Sequence, residues 1–268
     1  MCRIALTNSK SLQNIAIILR KLEKSNGGDG NGIALLNHEG QLLFFRKGYE
    51  YSIKNIIRDI SRYLDDYSLL LFHTRLASSG GICDELCHPF AGERFILVHN
   101  GHFTSVENIS KMLNIYNLIP KYEAQQKKRE YYLHSYAHTY TYTISGGRSD
   151  TQIAHFLLEY LAKHLPHFSP ITFISNIAYN DKLIVFDRQA KEFIIVGHLY
   201  FQYDDTGEWW ILSQPELPHR YQNFPFKTNG ISIPLSTMNL SSLLTILHEH
   251  KYEPVTLSSS FWRKGNKK

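Results

Sequence analysis

The chain has 268 residues, is 43% hydrophobic and 20% charged, and carries a formal net charge of +5. It is long enough to bury the core of one large domain or two small ones, and the composition is ordinary for a globular protein. No apolar run reaches bilayer-spanning length, the start is too short and polar for a signal peptide, and three cysteines exclude a disulfide framework. A cytoplasmic protein is expected. The mild basic excess, part of it in Lys127-Lys128-Arg129 and the tail from Arg263 to Lys268, reads as solvated surface, and nucleic-acid binding is not expected.

Residues 2–7 read as a strand. Leu12, Ile15, Ala16, Leu19 and Leu22 then recur at helical spacing, with Ser9 or Ser11 placed to cap the start. Asn26 to Gly32 holds four glycines in seven residues and is expected to be irregular. Strands are expected over 33–36 and 41–46, joined by a turn at His38-Glu39-Gly40. Ile53, Ile56, Ile57, Ile60 and Leu64 share one face of a second helix. Two apolar strands follow, Leu69 to Phe72 and Phe95 to Val98, with a helix near 105–113 after the second.

A long irregular stretch is expected after that, then a helix from about 150 with Ile153, Phe156, Leu157, Tyr160 and Leu161 inward. The last third reads as strands at 171–178, 182–187, 192–203 and 208–213. Helices outside many mostly antiparallel strands imply an α+β layering, two sheets face to face with helices outside.

Two of the apolar strands run straight into compact polar clusters, His73-Thr74-Arg75 and His99-Asn100-Gly101. Strand ends are where a rigid scaffold presents chemistry with little positional error. Either cluster alone is an ordinary strand cap. Together with Cys2 in second position and Ser149-Asp150 opening a helix, they form a set. The order Met-Cys, Asn26 to Gly32, His73-Thr74-Arg75-Leu76-Ala77-Ser78, His88-Pro89-Phe90, His99-Asn100-Gly101 and Ser149-Asp150-Thr151 resembles the class II glutamine amidotransferases. These are N-terminal nucleophile hydrolases, and the resemblance runs from residue 2 to about 217. It implies a four-layer αββα sandwich of two mostly antiparallel sheets.

The chemistry implied begins with removal of Met1, which makes Cys2 the N-terminus. A free α-amine has a pKa near ~8 and a thiol near ~8.5, so the amine can take the thiol proton and later protonate departing ammonia. The thiolate attacks the side-chain amide of L-glutamine to give a thioester, which water hydrolyses. The resemblance makes the Asn100 side-chain amide and the Gly101 N–H donors to the oxyanion. Arg75 offers a fork for the α-carboxylate, with Ser78 beside it, and Asp150 takes the α-ammonium. His88 is expected near the substrate. An Asn-Gly pair elsewhere is most often a hairpin turn, and an Asp at a helix start is often only a cap.

Three positions depart from the family pattern. Leu76 stands where sugar-synthase relatives carry Trp, Asn26 replaces an Arg common before the glycine loop, and Gln152 replaces the usual Glu. Cys83 and Cys87 have zinc-pair spacing without a second pair, so no metal site and no cofactor are expected. Residues 114–148 are longer than in most relatives and hold Tyr131, Tyr132, Tyr136, Tyr140 and Tyr142; a packed insertion is expected.

The domain reading is a glutaminase unit over 2–217 and a C-terminal extension over 218–268 with one helix near 241–249. About fifty residues are too few for a fused synthase. The expected partners are therefore L-glutamine and a separate ammonia-accepting synthase subunit. The alternatives are a stand-alone hydrolase of other γ-glutamyl amides and a non-catalytic subunit that keeps the fold for binding.

Overall fold

A computed structural model of the chain describes residues 2–78, 80–123, 127–133, 136–142, 147–178, 181–215 and 221–251. Its first half contains β1 (Arg3–Thr7), α1 (Leu12–Asn26), β2 (Asn31–Leu36), β3 (Leu42–Gly48), α2 (Ile53–Ser61), β4 (Leu69–Thr74), β5 (Phe90–Ala91), β6 (Phe95–Asn100) and α3 (Val106–Met112). The second half contains β7 (Lys127–Leu133), β8 (Tyr136–Tyr142), α4 (Asp150–His164), α5 (Pro170–Ile177), β9 (Lys182–Asp187), β10 (Glu192–Tyr203), β11 (Trp209–Leu212), β12 (Gln222–Pro234) and α6 (Leu240–His248). Among the described residues no helix is long and apolar enough to cross a membrane.

Strand alternation builds three apolar layers. In β1 and β4, Ile4, Leu6, Leu69 and Leu71 face a central layer, where they meet Ile96 and Val98 of β6 and Ile184 and Phe186 of β9. The alternate residues Ala5, Leu70 and Phe72 face the other way, against Ile15, Leu19 and Leu22 of α1 and Ile53, Ile56 and Ile60 of α2. On the far side Phe95, Leu97, Leu183 and Val185 meet Ile153 and Leu157 of α4 and Ile174 of α5. Removing one such side chain, as in Leu71→Ala, costs about 2–5 kcal/mol through lost burial and the cavity left behind.

The expected α+β architecture forms, with its strands joined in one continuous hydrogen-bonded network. Ten strands make one hydrogen-bonded sheet in the order β3-β2-β4-β1-β11-β10-β9-β6-β5, with β12 on β10. The joint is β10 itself: residues 192–196 pair with β9 and 200–203 pair with β11, while β12 runs along its other edge. A register shift between Ile195 and Gly197, where Gly197 has φ +104°, separates the two halves of the strand.

Local differences from the sequence reading have identifiable causes. The segment expected as a strand at 171–178 is α5: Ser169 accepts the Thr172 N–H and Pro170 stands in the first turn, a start signal that overrides the β-branched content. Ser11 caps α1 and Ser149 caps α4 in the same way. Asn31 and Gly32, read as loop, already belong to β2. The stretch read as irregular contains the antiparallel pair β7–β8; the side chains of its tyrosines, and the tail from 252 onward, lie outside the described residues. Residues 222–234 form β12, and Phe224, Phe226, Leu243 and Leu247 enter the central layer.

Candidate active site

The sheet brings the ends of β1, β2, β4 and β6 to one pole of the molecule. Arg3 lies opposite Thr74, Asn31 opposite Thr74 on the other side, and Asn100 opposite Lys182. The glycine loop between α1 and β2 braces the segment after β4. Gly30 has φ +145°, a conformation L side chains avoid, and a Cβ there would collide with the Cys87 sulfur. Its carbonyl accepts the Arg75 N–H at 2.7 Å, and the Asp29 N–H donates to the Arg75 carbonyl at 2.9 Å. The Asp29 carboxylate accepts the Ala77 N–H at 3.0 Å. Segment 75–77 is thus held from both flanks, and its middle residue presents the Leu76 N–H to Cys2 Sγ at 3.4 Å.

A small cleft opens at this point, lined by Cys2, Arg75, Leu76, Ser78, His88, His99, Gly101, Ser149, Asp150 and Thr151. Six of the seven residues singled out from sequence therefore share one wall. The seventh, Asn100, is buried at the end of β6 next to Gly101. The cleft holds about 20 Å³, room for about one water. Cys2 is partly buried. Burial lifts its thiol above the ordinary value, while the Leu76 N–H and Arg75 pull the other way.

Arg75 is 3% exposed and donates from Nη1 to the Gly81 carbonyl at 2.6 Å. Asp150 accepts the Phe103 N–H at 2.7 Å and lies 3.5 Å from His102 Nδ1. Ser149 takes the capping role, accepting the Gln152 N–H at 3.1 Å, so Asp150 does not serve as the cap.

Beneath the cleft lies a buried set of histidines. His73 Nε2 is 3.0 Å from the His99 carbonyl, and the His73 and His88 rings are 3.9 Å apart. Burial holds both of these imidazoles well below their ordinary pKa, so they are neutral near pH 7. His99 Nδ1 is 2.9 Å from the Thr151 hydroxyl. His73 Nδ1, Thr74 Oγ1, His88 Nδ1, His99 Nε2, Asn100 Oδ1 and Gln152 Oε1 are buried with no hydrogen-bond partner in the protein.

Some residues at this pole gave no signal in the sequence. Arg3 donates to the Cys2 carbonyl at 3.0 Å and to Ser25 Oγ at 3.1 Å, beside the position where Asn26 replaces an Arg. Asp181 was equally silent. Cys83 and Cys87 are buried, and burial pushes the Cys87 thiol up to about 12. Among the described residues no group of three metal-capable side chains forms.

A far larger groove, about 1000 Å³, lies at the opposite ends of the strands. It is lined by the 39–42 turn, Glu93, Arg94, the outer face of α4 and the 188–191 turn.

No protein-family model matches the chain. The glutamine–fructose-6-phosphate aminotransferase (isomerizing) of Geobacillus kaustophilus is 36% identical over 102 residues, which is 35% of this chain and 16% of that protein. The enzyme of the same name from Francisella tularensis is 29% identical over 116 residues, 42% of this chain and 18% of that protein. The match thus takes in less than a fifth of the curated relatives' length. Among solved structures, the glutamine phosphoribosylpyrophosphate amidotransferase of B. subtilis superposes on 90% of this chain and 50% of its own, with a TM-score of 0.52 at 16% identity.

The architecture is α+β around a large antiparallel sheet, the fold of N-terminal nucleophile amidotransferases. Over 102–116 residues, less than half of its length, the chain is similar to class II glutamine amidotransferases.

Proposed function

We propose that this chain hydrolyses the side-chain amide of L-glutamine to glutamate and ammonia, with Cys2 as the nucleophile once Met1 is removed. The observation that carries the reading is the convergence of Cys2, Arg75, Gly101 and Asp150 on one cleft. These residues come from four separate places in the chain, and each supplies a different group that amide hydrolysis of free glutamine needs.

The α-amine of Cys2 takes the thiol proton, and Sγ attacks the amide carbon. A buried thiol with a raised pKa needs such a base close by. The Asn100 side chain and the Gly101 N–H hold the oxyanion that forms. Collapse of the intermediate breaks the C–N bond, and the amine proton goes to the departing ammonia. Water then cleaves the thioester to glutamate. Arg75 pairs the α-carboxylate, assisted by Ser78, and Asp150 pairs the α-ammonium. His88 is kept neutral by burial and forms part of the wall without adding charge. A cavity of about 20 Å³ is too small for glutamine, so lining side chains move on binding.

The three apolar layers support a four-layer αββα arrangement in which β10 passes from one sheet to the next. The ammonia is passed to a synthase, since the relatives' names describe amino-group transfer. The test is ammonia release from glutamine by the wild type and by Cys2→Ala, with circular dichroism on both. A diazo-ketone glutamine analogue should label the wild type once, on Cys2, and intact mass should show loss of Met1. Wild-type turnover in Cys2→Ala, or labelling at Cys83 or Cys87, sinks the proposal.

A further inference from the structure

We propose that Asp181 is a positioning residue that sets the geometry of the oxyanion site at Asn100-Gly101. The inference rests on the reading of those two residues as oxyanion donors. Asp181 stands directly before β9, and its carboxylate is 13% exposed. One oxygen accepts the His102 N–H at 3.1 Å. The other lies 3.3 Å from His99 Nε2, close enough for electrostatic attraction though without hydrogen-bond geometry. The carboxylate therefore engages the residue before Asn100 and the residue after Gly101, and brackets the pair.

Two further contacts tighten the bracket. A Cβ on Gly101 would collide with the Asp181 carboxylate, so the acid lies directly against the residue whose N–H is to face the oxyanion. The His99 ring is held from its other side by Thr151 Oγ1 and stacks on Phe103 at 3.8 Å with planes 8° apart. It cannot swing away from Asp181 without breaking both.

The acid is itself well anchored. Its N–H donates to the Ala178 carbonyl at 3.2 Å. Its own carbonyl packs so closely on Gly197, at the register shift of β10, that a Cβ there would collide with it. The next residue, Lys182, pairs with Asn100 across β6 and β9. The joint between the halves of the sheet thus supports Asp181, and Asp181 supports the loop. An oxyanion donor must be held within about 0.5 Å of its productive position, so a loop released from this bracket loses turnover before it loses substrate affinity.

The experiment is steady-state glutamine hydrolysis by Asp181→Ala and Asp181→Asn beside Cys2→Ala, with the melting temperature of each. Iodoacetamide alkylation of Cys2 is followed in parallel, because it needs the thiol but no oxyanion site. Asp181→Ala should lower kcat about ten- to fiftyfold, less than the ~10²–10³ lost with a donor itself. KM should stay within about threefold and the alkylation rate near wild type. Asp181→Asn, which keeps an oxygen for the His102 N–H but loses the charge facing His99, should lower kcat about three- to tenfold.

A kcat within about threefold of wild type in Asp181→Ala, with Cys2→Ala inactive, overturns the proposal. So does a drop in melting temperature without a drop in kcat. If Asp181→Ala does not fold, Asp181→Asn decides: a three- to tenfold fall in kcat at unchanged KM supports the bracket, and an unchanged kcat overturns it. Activity in Cys2→Ala would instead remove the functional reading beneath it.

Discussion

The two cavities sit at opposite ends of the same strands, and they differ in a way that volume does not capture. The groove at the far pole is about fifty times larger in volume than the cleft at Cys2. Three of its charged side chains, however, are matched within the protein. Arg94 forks onto Asp187 at 2.7–3.0 Å, Glu159 accepts the N–H groups of Arg94 and Phe95, and Arg188 donates to the carbonyls of Gly92 and Glu93. Among the described residues, no groove side chain has a buried polar atom without a partner. The small cleft is lined by two residues with such atoms, His88 and His99, and His73, Thr74 and Asn100 at the same strand ends carry others. Burying an unmatched polar group costs about 1–3 kcal/mol, so a fold that keeps several at one pole gives up stability there. Chemistry is expected where that cost is concentrated, not where space is largest.

That contrast can be broken most sharply at the oxyanion site. Below the complete loss expected of Cys2→Ala, Asn100→Ala should lower kcat about 10²–10³-fold with KM little changed, because its amide matters mainly once the carbonyl oxygen is negative. A change confined to KM would show that Asn100 only shapes the strand end. Arg75→Ala should cost about ten- to hundredfold in kcat/KM, chiefly through KM, since the α-carboxylate keeps its charge throughout. Arg75→Lys should recover part of it, and a decarboxylated analogue should be nearly indifferent to the change. Equal damage on both substrates would mean that Arg75, with its bond to the Gly81 carbonyl, holds the loop rather than reading glutamine.

Acid should weaken the fold next. His155 is held down to about 4 by burial, and burial lowers His73 and His88 as well. The unfolded chain binds these protons near pH 6.5, whereas the folded chain resists them, so stability is full above that pH and is lost as pH falls toward 4. The melting temperature should therefore drop between pH 7 and 4, and His155→Gln should drop less steeply over that window. Parallel slopes for the two proteins would contradict this. The smallest effect belongs to the groove: Tyr160→Ala, beneath its stacked partner His164, should leave kcat and KM for glutamine within about twofold. A larger change would couple the two poles and erase the comparison.

Much of the candidate site was readable because its signals are local. Cys2 in second position, Asn100-Gly101 at the end of an apolar strand, and Ser149 before the periodic run of α4 are each statements about neighbours in the chain. The continuous apolar runs of β4 and β6 likewise assigned them to the core, because a strand buried on both faces needs apolar residues at every position. Segment 170–177 shows where local evidence misleads. Its Ile, Thr and Phe content reads as strand, yet the Ser169 cap and Pro170 start a helix whose Ser175 packs against Gly230 of β12.

What only the tertiary structure decided are the contacts that cross from one element to another. The sulfur of Cys2 meets the N–H of Leu76 across 74 residues of chain, and Asp181 reaches the loop at His102 across 79. Neither pairing leaves a periodicity, a cap or a turn signature, because each depends on strand order and register. A single sheet in which β10 serves both halves brings β1 beside β4 and β9 beside β6, and that order carries Leu76 to Cys2 and Asp181 to Gly101. Residue identities and the family resemblance named the candidate groups, while long-range strand pairing, whose cost is loop closure and whose gain is shared burial, settled which residues lie against them.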